Sequence, residues 1–66
     1  MWVTNDYSII NYVLVGDHIK WNSQIIKVTD IDDSGDMVKV FGVDEWDEDV
    51  ELLIPDCETV PLMIWD

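Results

Sequence analysis

The chain contains no arginine and no alanine, one histidine, one cysteine, one glutamine and three lysines. Each shortage excludes something. Against fifteen Asp and Glu, three cations leave a formal charge of −12 at pH 7, so the chain has no means of neutralising nucleic-acid phosphates and direct DNA or RNA binding is excluded. The same sign excludes anionic membrane surfaces. Cys57 stands alone; one thiol makes no intramolecular disulfide, and a reducing cytoplasm is the expected setting. His18 and Cys57 lie in no nucleophile elbow or zincin helix, and a domain this small offers no cleft in which to set two carboxylates apart, so no enzyme activity and no cofactor are expected. Uninterrupted apolar runs reach only about four residues, far short of the ~20 of a membrane span, and the opening Met-Trp-Val-Thr-Asn-Asp carries no basic leader. A cytoplasmic protein without a membrane role is the expectation.

What is present is β-branched and apolar. Val occurs nine times, Ile eight and Thr three, against four Leu, and 48% of the 66 residues are hydrophobic. That is too apolar for a disordered acidic tail and too poor in helix formers for a helical domain. The length allows one domain, 1–66, with an acidic surface over a small core, and repulsion among the surface charges makes it marginally stable at low salt.

Strand and turn signals run regularly from Gly16-Asp17 onward. Residues 18–21 predict a short strand and Asn22-Ser23 a tight turn. Residues 24–32 predict a second strand, in which Ile26 and Val28 share a face but Ile31 breaks alternation as a β-bulge would. Asp33-Ser34-Gly35-Asp36 predicts a turn into 37–43, whose apolar phase switches between Val40 and Phe41, and 44–49 a charged hairpin loop. In 50–54, Val50, Leu52 and Ile54 alternate toward the core; 55–58 suits a 3₁₀ turn, and 59–65 a last strand that Pro61 places at an edge. Residues 1–15 read as an extended segment or a short helix capped by Thr4 or Asn5, with Ile9, Ile10, Val13 and Val15 favouring the extended form.

From "VGDHIKW…QIIKVTDID…GDMVKVFGV…VELLIPDCETVPL" the chain resembles small SH3-like barrels of the KOW type. In these a Gly-Asp pair opens a first strand, a long bent strand and two hairpin partners follow, and a short 3₁₀ turn precedes the last strand. The resemblance implies an all-β, five-stranded antiparallel barrel over 16–66 that serves as a binding scaffold. Many members bind RNA or ribosomal components through basic loops; here those loops are acidic.

Ten of the fifteen acids fall in two clusters: Asp30, Asp32, Asp33 and Asp36, and Asp44, Glu45, Asp47, Glu48, Asp49 and Glu51. The first reproduces the opening of an EF-hand loop, with oxygen ligands at positions one, three and five and Gly35 at six; its twelfth position is Phe41 where a bidentate Glu is required. A calcium-binding β-loop is therefore a lesser reading beside a plain acidic turn. In the second cluster an extended 47–51 would set Asp47, Asp49 and Glu51 on one face about 6.7 Å apart, close to the spacing of phosphates along a nucleic-acid strand. Trp46 sits among these carboxylates like an interface anchor in a polar rim. The closing stretch "DEDVELLIPDCETVPLMIWD" resembles the tail of uracil-DNA glycosylase inhibitors, small acidic phage proteins that present carboxylates to a DNA-binding surface. The resemblance implies an inhibitor acting by DNA mimicry, in the host cytoplasm if phage-encoded. The expected partner is a protein with a basic surface, itself a nucleic-acid-binding protein, and the expected site is the two clusters with Trp46.

A different reading rests on apolar surplus. Leu53, Met63, Trp65 and one of Phe41 and Val43 point away from the face that Leu52, Leu62 and Ile64 bury. An exposed face of that kind would serve homodimerisation or assembly on a larger protein.

Overall fold

The computed structural model describes residues 1–66 and is an antiparallel six-stranded sheet with almost no helix. The strands are β1 (Trp2–Ile9), β2 (His18–Trp21), β3 (Gln24–Asp32), β4 (Met37–Val43), β5 (Asp49–Pro55) and β6 (Thr59–Trp65). They are ordered β1-β6-β2-β3-β4-β5. There are six strands rather than five because residues 2–9 resolve their ambiguity by pairing with β6 from Trp2↔Trp65 to Ile9↔Thr59. No helix is long and apolar enough to cross a membrane.

Local chemistry accounts for most of the boundaries. Asn22 and Ser23 both take positive φ, 51° and 65°, the backbone of a two-residue hairpin turn whose twist matches that of the flanking strands, and Trp21 pairs with Gln24 across it. The β-bulge in β3 lies at Thr29, where the register steps from Val28↔Gly42 to Asp30↔Phe41. The extra residue lets Ile26 and Val28 face inward before it and Ile31 after it.

In β4, by contrast, the expected phase switch does not occur. Val38, Val40 and Gly42 alternate inward without interruption and Phe41 stays on the outer face, because the glycine holds the third inward position. The 3₁₀ turn forms at Ile10–Tyr12, not at 55–58, where a β-turn closed by Glu58 N–H donating to the Pro55 carbonyl at 3.1 Å holds Cys57 at φ 62°, outside the 3₁₀ range. Nor is β6 an edge: it lies between β1 and β2. Its ladder with β2 stops at Leu62, one residue short of Pro61, which has no N–H to extend it.

The sheet is strongly curled. On a flat sheet β5 and β6 would lie four strand spacings apart, about 19 Å. Pro55 and Thr59 are joined by four peptide steps spanning at most about 14 Å. Curling brings the inward side chains Ile19, Ile26, Val28, Val38, Val40, Ile54 and Val60 into one core, all with no solvent exposure. β1 and β5 do not pair with each other, so the sheet stays open.

Because β1 and β2 both run antiparallel to β6, the segment between them must cross β6, and it buries Ile10 and Val13 in the core as it does so. Asn11 ties this crossing to the β5–β6 turn. Its carbonyl oxygen accepts the Cys57 N–H at 2.9 Å and its amide donates to the Asp56 carboxylate.

Candidate functional site

The 33–36 and 44–48 turns lie at opposite ends of β4, with Asp36 before Met37 and Asp44 after Val43, and eight residue steps of strand put these ends about 26 Å apart. Between them Asp30 of β3 and Glu51 of β5 both pair with Phe41, which brings one acid of each cluster into the same row of the outer face. Of the ten carboxylates, Asp44 and Glu45 are half-buried; the other eight are exposed.

Several of these acids are occupied in shaping their own turns. Asp44 accepts the N–H groups of Trp46 at 2.8 Å and Glu48 at 3.0 Å on one carboxylate oxygen, while Asp44 N–H donates to the Glu48 carbonyl at 3.0 Å. With Asp47 at φ 59°, this is a three-residue hairpin loop closed by a left-handed residue. Asp47 therefore leaves the strand, and the expected line of Asp47, Asp49 and Glu51 is not formed. Only Asp49 and Glu51 share a face of β5, at about 6.7 Å, and Glu51 is engaged by Lys39 at 3.4 Å, the sole ion pair with a lysine in the chain.

At the other end of β4, Asp32 accepts the Ser34 N–H at 3.1 Å. The Ser34 side-chain hydrogen bond, then this backbone one, hold its carboxyl below the ordinary value of 3.8. Asp30 accepts the neighbouring Ile31 N–H at 2.9 Å. No three His, Cys, Asp or Glu side chains converge on a point where a metal ion would sit, and strands rather than helices flank 30–36.

Trp46 is carried at the tip of the 44–48 turn, 75% exposed, and its backbone is held by the Asp44 carboxylate. The other apolar side chains divide. Leu53 (58% exposed) and Trp65 (68%) face solvent as expected, whereas Met63, expected outside, is buried. It lies on the outer face between Thr4 and His18 in register, and Thr4 Oγ1 donates to its sulfur at 3.5 Å. Ile64, expected inside, is 46% exposed because it lies near the end of β6, beyond the last core position at Val60. Phe41 and Val43 both lie on the outer face and are half-buried.

The outer face also carries a feature that no local pattern reveals, a pocket of about 150 Å³ lined by Trp2, His18, Ile25, Lys27, Val43, Asp44, Glu45 and Asp47. His18, Lys27, Val43 and Asp49 form one row across β2, β3, β4 and β5. Trp2 packs against His18 with ring centroids 4.7 Å apart and the rings tilted by 35°, and meets Trp65 edge-on at 5.5 Å. The lining comes from four separated stretches of sequence; Asp44, Glu45 and Asp47 belong to the expected acidic site, whereas Trp2, His18, Ile25, Lys27 and Val43 join them only through the fold.

Comparison with protein-family models, with curated proteins and with solved structures finds no match to this chain.

Proposed function

We propose that the protein is a non-enzymatic, acidic protein-binding module that docks on a basic surface of a partner, a nucleic-acid-binding protein whose nucleic-acid site it blocks. The observation that carries this reading is Trp46: an exposed aromatic side chain at the tip of a turn whose backbone is fixed by Asp44 and whose neighbours are Glu45, Asp47, Glu48 and Asp49. A preorganised aromatic anchor inside a charged rim loses little conformational entropy on binding, and the carboxylates steer a basic partner toward it. The formal charge of −12, relieved by a single Lys39–Glu51 ion pair, supports the same sign of partner. Because Asp47 leaves β5 and the acidic turns lie at opposite ends of β4, mimicry on this reading is of local phosphate charge around an anchor, not of a long strand. The succession of β2 to β6 follows the order of elements in the SH3-like barrels that the sequence resembles, and on this reading the sheet is such a barrel left open, with β1 added beside β6.

The test is retention of host-lysate proteins on the immobilised chain, eluted with a salt gradient. One stoichiometric nucleic-acid-binding protein that resists moderate salt, is displaced by its own DNA or RNA, and is lost with Trp46→Ala or with Glu48→Lys/Asp49→Lys supports the reading. A smear of basic proteins released together at low salt, or affinity unchanged by these substitutions, overturns it.

A second reading, assembly through apolar side chains, is favoured by the exposure of Trp65, Ile64 and Leu53. It requires salt-insensitive self-association in sedimentation, abolished by Trp65→Ser.

A further inference from the structure

The pocket on the outer face differs from the rest of the acidic surface in having aromatic and apolar walls. Trp2 and His18 form one side and Val43 and the buried Ile25 contribute apolar surface, while Glu45 and Asp47 reach it from the β4–β5 turn. Its size, about 150 Å³, is below the ~300–1,000 Å³ of small-molecule sites and suits one long side chain. Three carboxylates and one ammonium line it, a formal −2, so an anionic occupant is disfavoured and a cation favoured. An indole at the wall adds the ring attraction that cations find over tryptophan, and the apolar surface accepts a methylene stem.

We propose that this pocket receives a single lysine or arginine side chain of the partner. The inference rests on the reading above, that the partner surface is basic, and adds the place where one of its cations is bound. Lys27 is the resident competitor: it lines the same pocket and makes no ion pair within 4 Å. Its ammonium opposes an incoming cation, so removing it strengthens binding, the opposite of what loss of a structural lysine does.

The experiment is an ¹⁵N–¹H titration of the full chain with the peptide Ac-Gly-Lys-Gly-NH₂, its arginine and trimethyl-lysine counterparts, and the neutral norleucine peptide. A longer oligo-lysine peptide serves as the probe of the general acidic surface. The Trp2 indole N–H and the backbone amides of His18, Lys27 and 43–47 report occupancy. Saturable shifts at these positions with the cationic peptides, and none with norleucine, are expected. Glu45→Gln/Asp47→Asn should weaken binding at least tenfold and Lys27→Met should strengthen it several-fold. Asn at 47 keeps the left-handed backbone accessible, and unchanged dispersion of the spectrum shows that each variant is folded. Trp2→Leu should abolish the arginine and trimethyl-lysine response.

If oligo-lysine binds with steep salt dependence but the Trp2, His18 and Val43 signals stay still, the pocket proposal fails while the acidic-module reading stands. If no cationic peptide binds at all, both fail. Equal binding of norleucine, or Lys27→Met weakening the complex, overturns the pocket proposal alone.

Discussion

Replacing Gly42 by alanine should destabilise the protein even though strand propensity points the other way. Glycine inside a strand is worse than alanine by about 0.5–1 kcal/mol through chain entropy, so a position with free space would gain stability. Gly42 has no free space. A Cβ built there meets the Lys27 carbonyl oxygen at closer than van der Waals approach and Ile26 Cγ2 at 2.6 Å. The first obstacle is backbone of β3 beside the Thr29 bulge and cannot rotate away; the second belongs to a core side chain with no solvent exposure. Overpacking of this kind costs typically 1–3 kcal/mol; the nearer obstacle here is backbone, which places the cost at about 3 kcal/mol, the upper end, and with the propensity gain of about 0.5–1 kcal/mol subtracted a net loss of about 2 kcal/mol is expected. For a domain this small, ~1 kcal/mol corresponds to about 4–8 °C, so Tm should fall by roughly 8–16 °C.

The measurement is thermal and urea unfolding followed by tryptophan fluorescence and circular dichroism at fixed salt, with Gly35→Ala as control. Nothing lies within 4 Å of a Cβ at Gly35, and its effect should stay within about 0.5 kcal/mol. A Gly42→Ala variant as stable as the parent, or more so, would refute the close β3–β4 approach and the unbroken alternation of β4 that depends on it.

Two further outcomes test the turns. Asp44→Ala removes the acceptor of the Trp46 and Glu48 N–H groups and should cost about 1–2 kcal/mol; it should also speed hydrogen exchange at those two amides, while Asp44→Asn, which keeps an acceptor oxygen, retains most of the protection. At the other end of β4, Asp32 is held below its ordinary pKa of 3.8 chiefly by the Ser34 side chain. A depressed carboxyl contributes stability above its unfolded pKa and loses it as pH falls through the folded one, so the effect is confined to acid below about pH 3.8. Ser34→Ala should move the Asp32 carboxyl ¹³C titration upward; no movement would remove the hydroxyl from the account.

Much of the fold was legible because it is written locally. Asn22-Ser23, Asp33 to Asp36, the 44–48 loop and Pro55 impose turns through side-chain hydrogen bonds and permitted φ, which act within a few residues. The strands between them then follow, and the alternation of Val50, Leu52 and Ile54 chose the inward face of β5 unaided. The break in β3 was visible as well, although assigning the extra residue to Thr29 needed the register against β4.

Residue types alone made legible an all-β chain with an acidic exterior, the bounds of four strands, a fifth to within one residue at each end (50–54 against Asp49–Pro55), and a Trp46 among carboxylates. The extended form favoured for the N-terminal segment became a strand over residues 2–9 only through long-range pairing, since its partners lie at 59–65, at the far end of the sequence. Tertiary structure also placed Pro61 in an interior strand, buried Met63, and set the two acidic turns at opposite ends of β4 with Asp30 and Glu51 on either side of Phe41 between them. The pocket joining Trp2 and His18 to Glu45 and Asp47 is of the same kind. Turn chemistry is short-ranged and repeats wherever its residues occur, whereas pairing partners and shared cavities depend on how the whole sheet curls to bury one face.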